Sequence, residues 1–375
     1  MDNNIQVTIY TPQDLNHSSY MQAGLFELEK KGFLKVKIAY NTKKRLGRVS
    51  TENGSLKVSN HPQPKTSYYL LEDLDRKKEI FFAADLYDIS HFFSSYALEN
   101  CDYIFKRNYE SKHIHKLNTK YKTKIYPAGL TFGCQTDIRK KWTLFKLAHF
   151  ISILKLRLKF DRNILQRIRN VNKHTSEHYR YVTLGRSLEG FRGYHSDVQL
   201  RVFYQVRCFP RIEEPDVKII HEERSTLIKV LKKRLGDKFL GGLVPSEVSK
   251  NYYPECLTNL PTDPVSYLNL IKSSAICIYT KGLQNSPARK LSEYLSQGKC
   301  IVAESFSTEL NVPLEHGKHL MFYNSPEECA EICEELLNNP KKVKELSDNA
   351  RQYYEDFVDP EINVKRMIET MLENE

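Results

Sequence analysis

Lys290 and Glu293 lie three residues apart in the stretch 281–304. On a helix that spacing puts both side chains on one face. The lysine offers a charge for a diphosphate, and the carboxylate can accept from the two vicinal hydroxyls of a ribose. The surrounding residues punctuate the stretch. Residues 275–280 read as a strand and 281–285 as a loop containing Lys281 and Asn285. Ser286 suits a helix cap, Pro287 the first helical position and Gly298 a left-handed C-terminal cap, before the next strand at 300–303. The predicted helix therefore opens at the carboxyl end of a parallel strand. Sheets of that kind bind ligands there, and the free N–H groups of a helix start suit phosphate. A solvated Lys–Glu pair on a surface helix has the same spacing. Gly241 and Gly242, after the strand start at 239, fit either close approach of a ligand to the backbone or a plain turn.

A second group of candidates lies in the first half. Asp85 ends the apolar run 80–84, at the rim where a strand finishes, and Asp88 and His91 follow in the same loop. A carboxylate or imidazole there can take a proton from an attacking hydroxyl; a helix-cap or ion-pair role uses the same residues. The loop 11–23 holds Asn16, His17, Ser18 and Ser19, of which His17 and Ser18 are taken as substrate contacts.

The elements needed to position these groups alternate along the chain. Strands are predicted at 5–10, 35–40, 67–71, 80–84, 103–105 and 124–126, then at 200–206, 239–243, 275–280, 300–303 and 319–323. Helical stretches separate most of them, including 222–235, 265–273, 287–297 and 326–338. Alternation of this type predicts α/β architecture with parallel sheets and right-handed crossovers. The two sets suggest two doubly wound, Rossmann-like domains, at 1–175 and 176–345, with helices at 346–375 after them.

The second half of the 281–304 stretch, Ser-Glu293-Tyr-Leu-Ser-Gln-Gly298-Lys-Cys-Ile-Val302, resembles the signature of GT-B glycosyltransferases of the "glycosyl transferases group 1" type. That family's pattern has an acidic residue eight positions before the glutamate; this chain has Asn285, which can still hydrogen-bond a sugar hydroxyl. The resemblance implies that Glu293 holds the nucleotide ribose. Leu200-Arg-Val-Phe-Tyr-Gln-Val-Arg207 is similar to the strand that opens the family's C-terminal domain, which gives Arg207 the donor diphosphate. A guanidinium suits paired phosphate oxygens. A structural ion pair is the other use for that arginine. Cys101-Asp-Tyr-Ile-Phe-Lys-Arg107 with Lys124-Ile-Tyr-Pro-Ala-Gly-Leu130 is like the close of the N-terminal domain in some polysaccharide glycosyltransferases. The resemblance implies two domains facing a central cleft, with the C-terminal helices crossing back. The substrates it implies are a nucleotide-sugar donor and a glycan or lipid-linked acceptor. Neither cofactor nor metal is expected: Asp73-Leu-Asp75 is a DxD string, but it sits in the charged stretch 72–79 and reads as surface. Phosphate-loop, HExxH and GxSxG motifs do not occur.

The 375-residue chain has a formal net charge of +11, unevenly spread. Residues 139–173 carry +10, and the stretch from 321 onward carries −8. The basic segment has an apolar stripe at helical spacing (Leu144, Leu147, Ala148, Ile151, Leu154, Leu158), with Lys155 intruding. Such a segment suits an anionic membrane surface, or an interdomain helix with a solvated basic face. Eight scattered cysteines without a CxxC read as buried reduced thiols, and the start lacks a signal-peptide pattern, so a cytoplasmic chain, peripheral on the inner membrane face, is expected. Two other functions remain open. One is a glycerol- or ribitol-phosphate transferase, for which His17, His91, His113, His115, His195 and His221 are available. The other is a nucleic-acid binder, against which the absence of any recognised module counts.

Overall fold

A computed structural model describes residues 4–41, 43, 45–157, 163–183, 186–193 and 198–373. Leu158 and His195 of the readings above lie outside these residues. The chain divides into two compact units. The first comprises residues 1–189, 308–311 and 359–375, and the second 190–307 and 312–358. Residues 176–189 thus belong with the first unit rather than the second. The last fifty residues are shared: the helix Pro340–Tyr353 lies in the second unit, and Pro360–Glu373 in the first.

The first unit is built on a six-stranded sheet. Its strands in chain order are β1 (Ile5–Thr11), β2 (Lys35–Tyr40), β5 (Thr66–Asp73), β6 (Lys78–Asp85), β8 (Tyr103–Lys106) and β9 (Lys124–Pro127). The spatial order is β2-β1-β5-β6-β8-β9. Five strands run parallel, and β5 runs against both neighbours, so one hairpin interrupts the parallel pattern. Asp73 makes that hairpin's turn, its Oδ1 accepting from the backbone of Asp75 and Arg76 at 3.1 Å each. The DxD string is therefore turn chemistry. Three short strands, β3 (Arg48–Ser50), β4 (Lys57–Ser59) and β7 (Phe92–Ser94), form a separate small sheet that the sequence pattern did not announce.

Helix Leu15–Lys30 starts at Asp14, whose side chain accepts from Asn16 N at 3.1 Å. Most of the helix is buried, because Pro360–Glu373 lies directly on it. A side chain at Gly24 would collide with the Pro360 carbonyl and Val364. Asn363 fastens this contact, donating to the Tyr20 hydroxyl at 3.0 Å and to the Ala128 carbonyl at 2.9 Å.

The basic segment forms two helices, Arg139–Arg157 and Ile164–Thr183. The first buries Trp142, Phe145, His149, Ser152 and Ile153 against the first unit. Ser152 shares a 2.6 Å hydrogen bond with Thr11. The leucine-rich stripe therefore faces away from the core: Leu144 and Leu147 are exposed. The buried face carries the large apolar Trp142, Phe145 and Ile153 together with the anchored His149 and Ser152, so the number of leucines does not decide which face goes in.

The second unit holds a five-stranded, all-parallel sheet of β10 (Gln199–Val206), β11 (Phe239–Leu243), β12 (Ser274–Tyr279), β13 (Cys300–Glu304) and β14 (Met321–Tyr323). Its order is β11-β10-β12-β13-β14, a doubly wound Rossmann-like pattern, as expected. All of β12 is buried and β13 nearly so, as helices on both faces require. The cysteines are free, and Cys277 and Cys300 belong to these buried strands.

Candidate functional site

In the second unit the chain leaves β10 toward β11 on one side and returns to β12 on the other. That reversal of strand order opens a crevice at the carboxyl ends of β10 and β12, the standard ligand position in such sheets. Arg207 follows β10 directly and is exposed there. Lys281 follows β12 across the crevice.

Lys290 and Glu293 share the helix Arg289–Ser296, the one predicted between β12 and β13. The Lys290 ammonium donates to the Gln205 carbonyl at the end of β10 and sits 5.1 Å from the Tyr267 ring centroid. Burial, partly offset by Glu293 and reinforced by Arg224 and Arg207, brings its pKa down to about 7. Glu293 is buried at the same helix. Gly298, with φ of 53°, takes the left-handed cap position.

Ser286 does not cap this helix. Its hydroxyl donates to the Leu283 carbonyl at 2.8 Å, and its own carbonyl accepts from Gly282 N at 2.9 Å. Ser286 therefore closes the loop, and the helix begins after Ala288, whose N–H donates to the Tyr279 hydroxyl at 2.9 Å. Asn285 is exposed at the loop tip with φ of 53°. Lys281 is engaged by Glu304: one carboxylate oxygen accepts from its ammonium at 2.8 Å, the other from its backbone at 3.0 Å. At Gly242 the side where a Cβ would stand is filled by protein, with the Cys256 carbonyl 2.5 Å from that position.

Sequence reasoning missed Arg224. From the helix Pro215–Leu235 it donates to the Arg207 carbonyl at 2.8 Å and the Lys281 carbonyl at 3.3 Å, joining the two sides of the crevice. The signal was present: Val217, Ile220, Leu227, Ile228 and Leu231 form a buried stripe, and a charge at 224 falls on it. Glu223, Arg224, Thr280, Lys281, Glu304 and Asn324 line a small cavity of about 90 Å³ beside this junction. Burial, with the nearby Glu304 charge, pulls the Glu223 pKa up.

The first-unit candidates meet strong partners. Asp85 is buried in an ion pair with Lys106 at 3.3 Å. Asp88 is bound by Lys65 at 2.5 Å and by Arg107. Burial works against its charge, but Arg107 and Lys65 outweigh it and hold the carboxyl well below the usual range, with His17 also contributing. Asp88 is thus a weak proton acceptor. His91 differs: burial lowers its pKa and keeps the imidazole neutral, with the His113 ring 5.7 Å away. His17 is half-buried in the first turn of Leu15–Lys30, and Ser18 is fully buried.

Residues 224–372 match the family model described as glycosyl transferase-like. This stretch is therefore similar to glycosyl transferase-like domains. The expected resemblance to glycosyltransferases is met over these residues. The sequence matches none of the curated proteins. Among solved structures, the chain is similar to Anabaena HepE in complex with UDP and glucose, at 13% identity over 72% of this chain and 91% of that one, with a TM-score of 0.36. Sucrose-phosphate synthase from Thermosynechococcus elongatus shares 12% over 73% of each chain, with a TM-score of 0.37. WaaG, a glycosyltransferase involved in lipopolysaccharide biosynthesis, shares 11% over 70% of this chain and 61% of its own, with a TM-score of 0.34. The matched residues include Arg224, Lys281, Lys290, Glu293 and Glu304; Arg207 precedes them.

Proposed function

We propose that the protein is a glycosyltransferase that moves a sugar from a nucleotide diphosphate donor to a hydroxyl of a glycan or lipid-linked glycan. The family match over 224–372 carries this reading, because it falls on the domain with the crevice between β10 and β12. The nucleotide lies at that crevice, with Glu293 on the ribose and Arg207 and Lys290 on the diphosphate. As the bond from the anomeric carbon to phosphate oxygen breaks, the leaving diphosphate gains charge, and these two cations stabilise it without a metal ion. The acceptor oxygen forms the new bond. Its proton passes to His91, the candidate whose burial leaves it neutral and able to accept. The protein is cytoplasmic in this reading, with its 139–173 segment toward an anionic membrane.

A donor screen with the purified protein tests the proposal. Transfer or hydrolysis of at least one nucleotide sugar is expected, with Glu293→Ala weakening nucleotide binding. No turnover across the common donors, together with unchanged nucleotide affinity in Glu293→Ala, would overturn it.

A further inference from the structure

Strand β2 is the edge of its sheet, and helix Arg139–Arg157 runs beside it. Between them lies a groove of about 230 Å³, walled by Val36, Ile38 and Tyr40 from the strand and Leu144, Leu147 and Ile151 from the helix. Tyr40, Leu144 and Leu147 are 53%, 46% and 54% exposed. Large apolar side chains clustered at this exposure mark an interaction surface.

The charge around the groove has one sign. The helix carries six lysines and arginines and no acidic residue, and β2 adds Lys35 and Lys37. Lys35, Lys37, Lys140, Lys155 and Arg157 are exposed. The Lys155 ammonium stands 4.2 Å from the Tyr40 ring centroid, at the groove's rim. The nearby carboxylate, Glu29, is matched by Lys141 at 2.8 Å.

A second strand adding to the edge is disfavoured at Val36. Its N–H donates to Glu29 at 2.9 Å, and its carbonyl accepts from Lys141 at 2.8 Å. An apolar floor inside a cationic rim has the chemistry of a lipid surface: acyl chains meet the floor and phosphates meet the lysines.

We propose that this groove docks the protein on an anionic phospholipid bilayer, with lipid chains against Tyr40, Leu144 and Leu147. It sharpens the membrane reading above by naming the strand–helix groove, rather than the basic helix alone, as the contact. The binding itself does not depend on the donor chemistry. Vesicle binding without sugar turnover would defeat the enzyme reading alone, and turnover without vesicle binding would defeat this one alone.

Trp142 is the sole native tryptophan and is buried, so Tyr40→Trp introduces a clean reporter. The protein should sediment with phosphatidylcholine vesicles that contain phosphatidylglycerol and stay in solution with phosphatidylcholine alone. Brominated acyl chains should quench the introduced indole. Leu147→Asp should weaken vesicle binding by about tenfold or more, and Lys140→Gln with Lys155→Gln should do the same, while nucleotide affinity in solution stays unchanged. Absence of quenching overturns the proposal even if the Leu147→Asp variant folds poorly. So does undiminished binding by a folded Leu147→Asp variant, preference for duplex DNA over the vesicles, or a protein dimer that Leu147→Asp dissolves.

Discussion

Arg224 donates to the carbonyl oxygen of Arg207 at 2.8 Å, so a buried guanidinium sets the loop from which an exposed one projects. Its second bond, to the Lys281 carbonyl, spans the crevice. Arg224→Ala should lower stability by about 3 kcal/mol, since two carbonyls lose a charged donor. Nucleotide affinity should fall about tenfold through the displaced loops. Urea denaturation and nucleotide titration check the two effects. Unchanged nucleotide affinity in a destabilised variant would reduce Arg224 to a scaffold residue.

The pKa of Lys290 near 7 gives nucleotide binding a pH dependence. A diphosphate favours the charged ammonium and raises that pKa, so binding takes up a proton above pH 7. Affinity should fall as pH rises from about 7 to 9, by at most about tenfold per unit. Lys290→Met should flatten the slope. Calorimetry in two buffers of different ionisation enthalpy reads the proton directly. For stability the sign is opposite. An unfolded lysine holds its proton up to about 10.4, so this residue makes the folded state more stable as pH rises from about 7 toward that value.

Asp88 should shape the acid limb of the stability curve. Its depressed pKa means that its contribution is present above the ordinary aspartate value of about 3.9 and is lost as pH falls below it. In Asp88→Asn that part of the acid limb should disappear, and stability at neutral pH should drop because Lys65 and Arg107 lose their counter-charge. Thermal melts between pH 7 and pH 2 measure both.

Gly242 offers a test of packing against ligand contact. With φ of 138° and the Cys256 carbonyl 2.5 Å from where a Cβ would stand, Gly242→Ala should cost about 2–4 kcal/mol. Residual folded protein should bind nucleotide with ordinary affinity. A selective loss of nucleotide binding in a stable variant would return this glycine to the site.

The strands of the two larger sheets were legible from hydrophobic runs; β2 and β11 fall where the pattern put them, and the others of those sheets within about three residues, whereas β3, β4 and β7 were not announced. The direction of β5 was not legible, because a hairpin of buried strands and a crossover pair share the same apolar runs. The loop before Arg289 misled for a local reason. Ser286 and Pro287 form an ideal helix start, but the Ser286 hydroxyl finds the Leu283 carbonyl first. Lys290, Glu293 and Arg207 were singled out as candidates from motif and spacing, and Lys290 meets the end of β10. Arg224 and Glu304 were not, because their roles depend on partners far along the chain.

The helix Pro360–Glu373 completes the unit that the chain began with. Asn363 and Tyr20, which bond across it, are separated by 343 positions. On the ribosome, the surface of Leu15–Lys30 must therefore wait, uncovered, while the whole second unit is made. Until then its uncovered apolar surface is a target for chaperones, and the first unit can close only once residues 360–373 have left the exit tunnel.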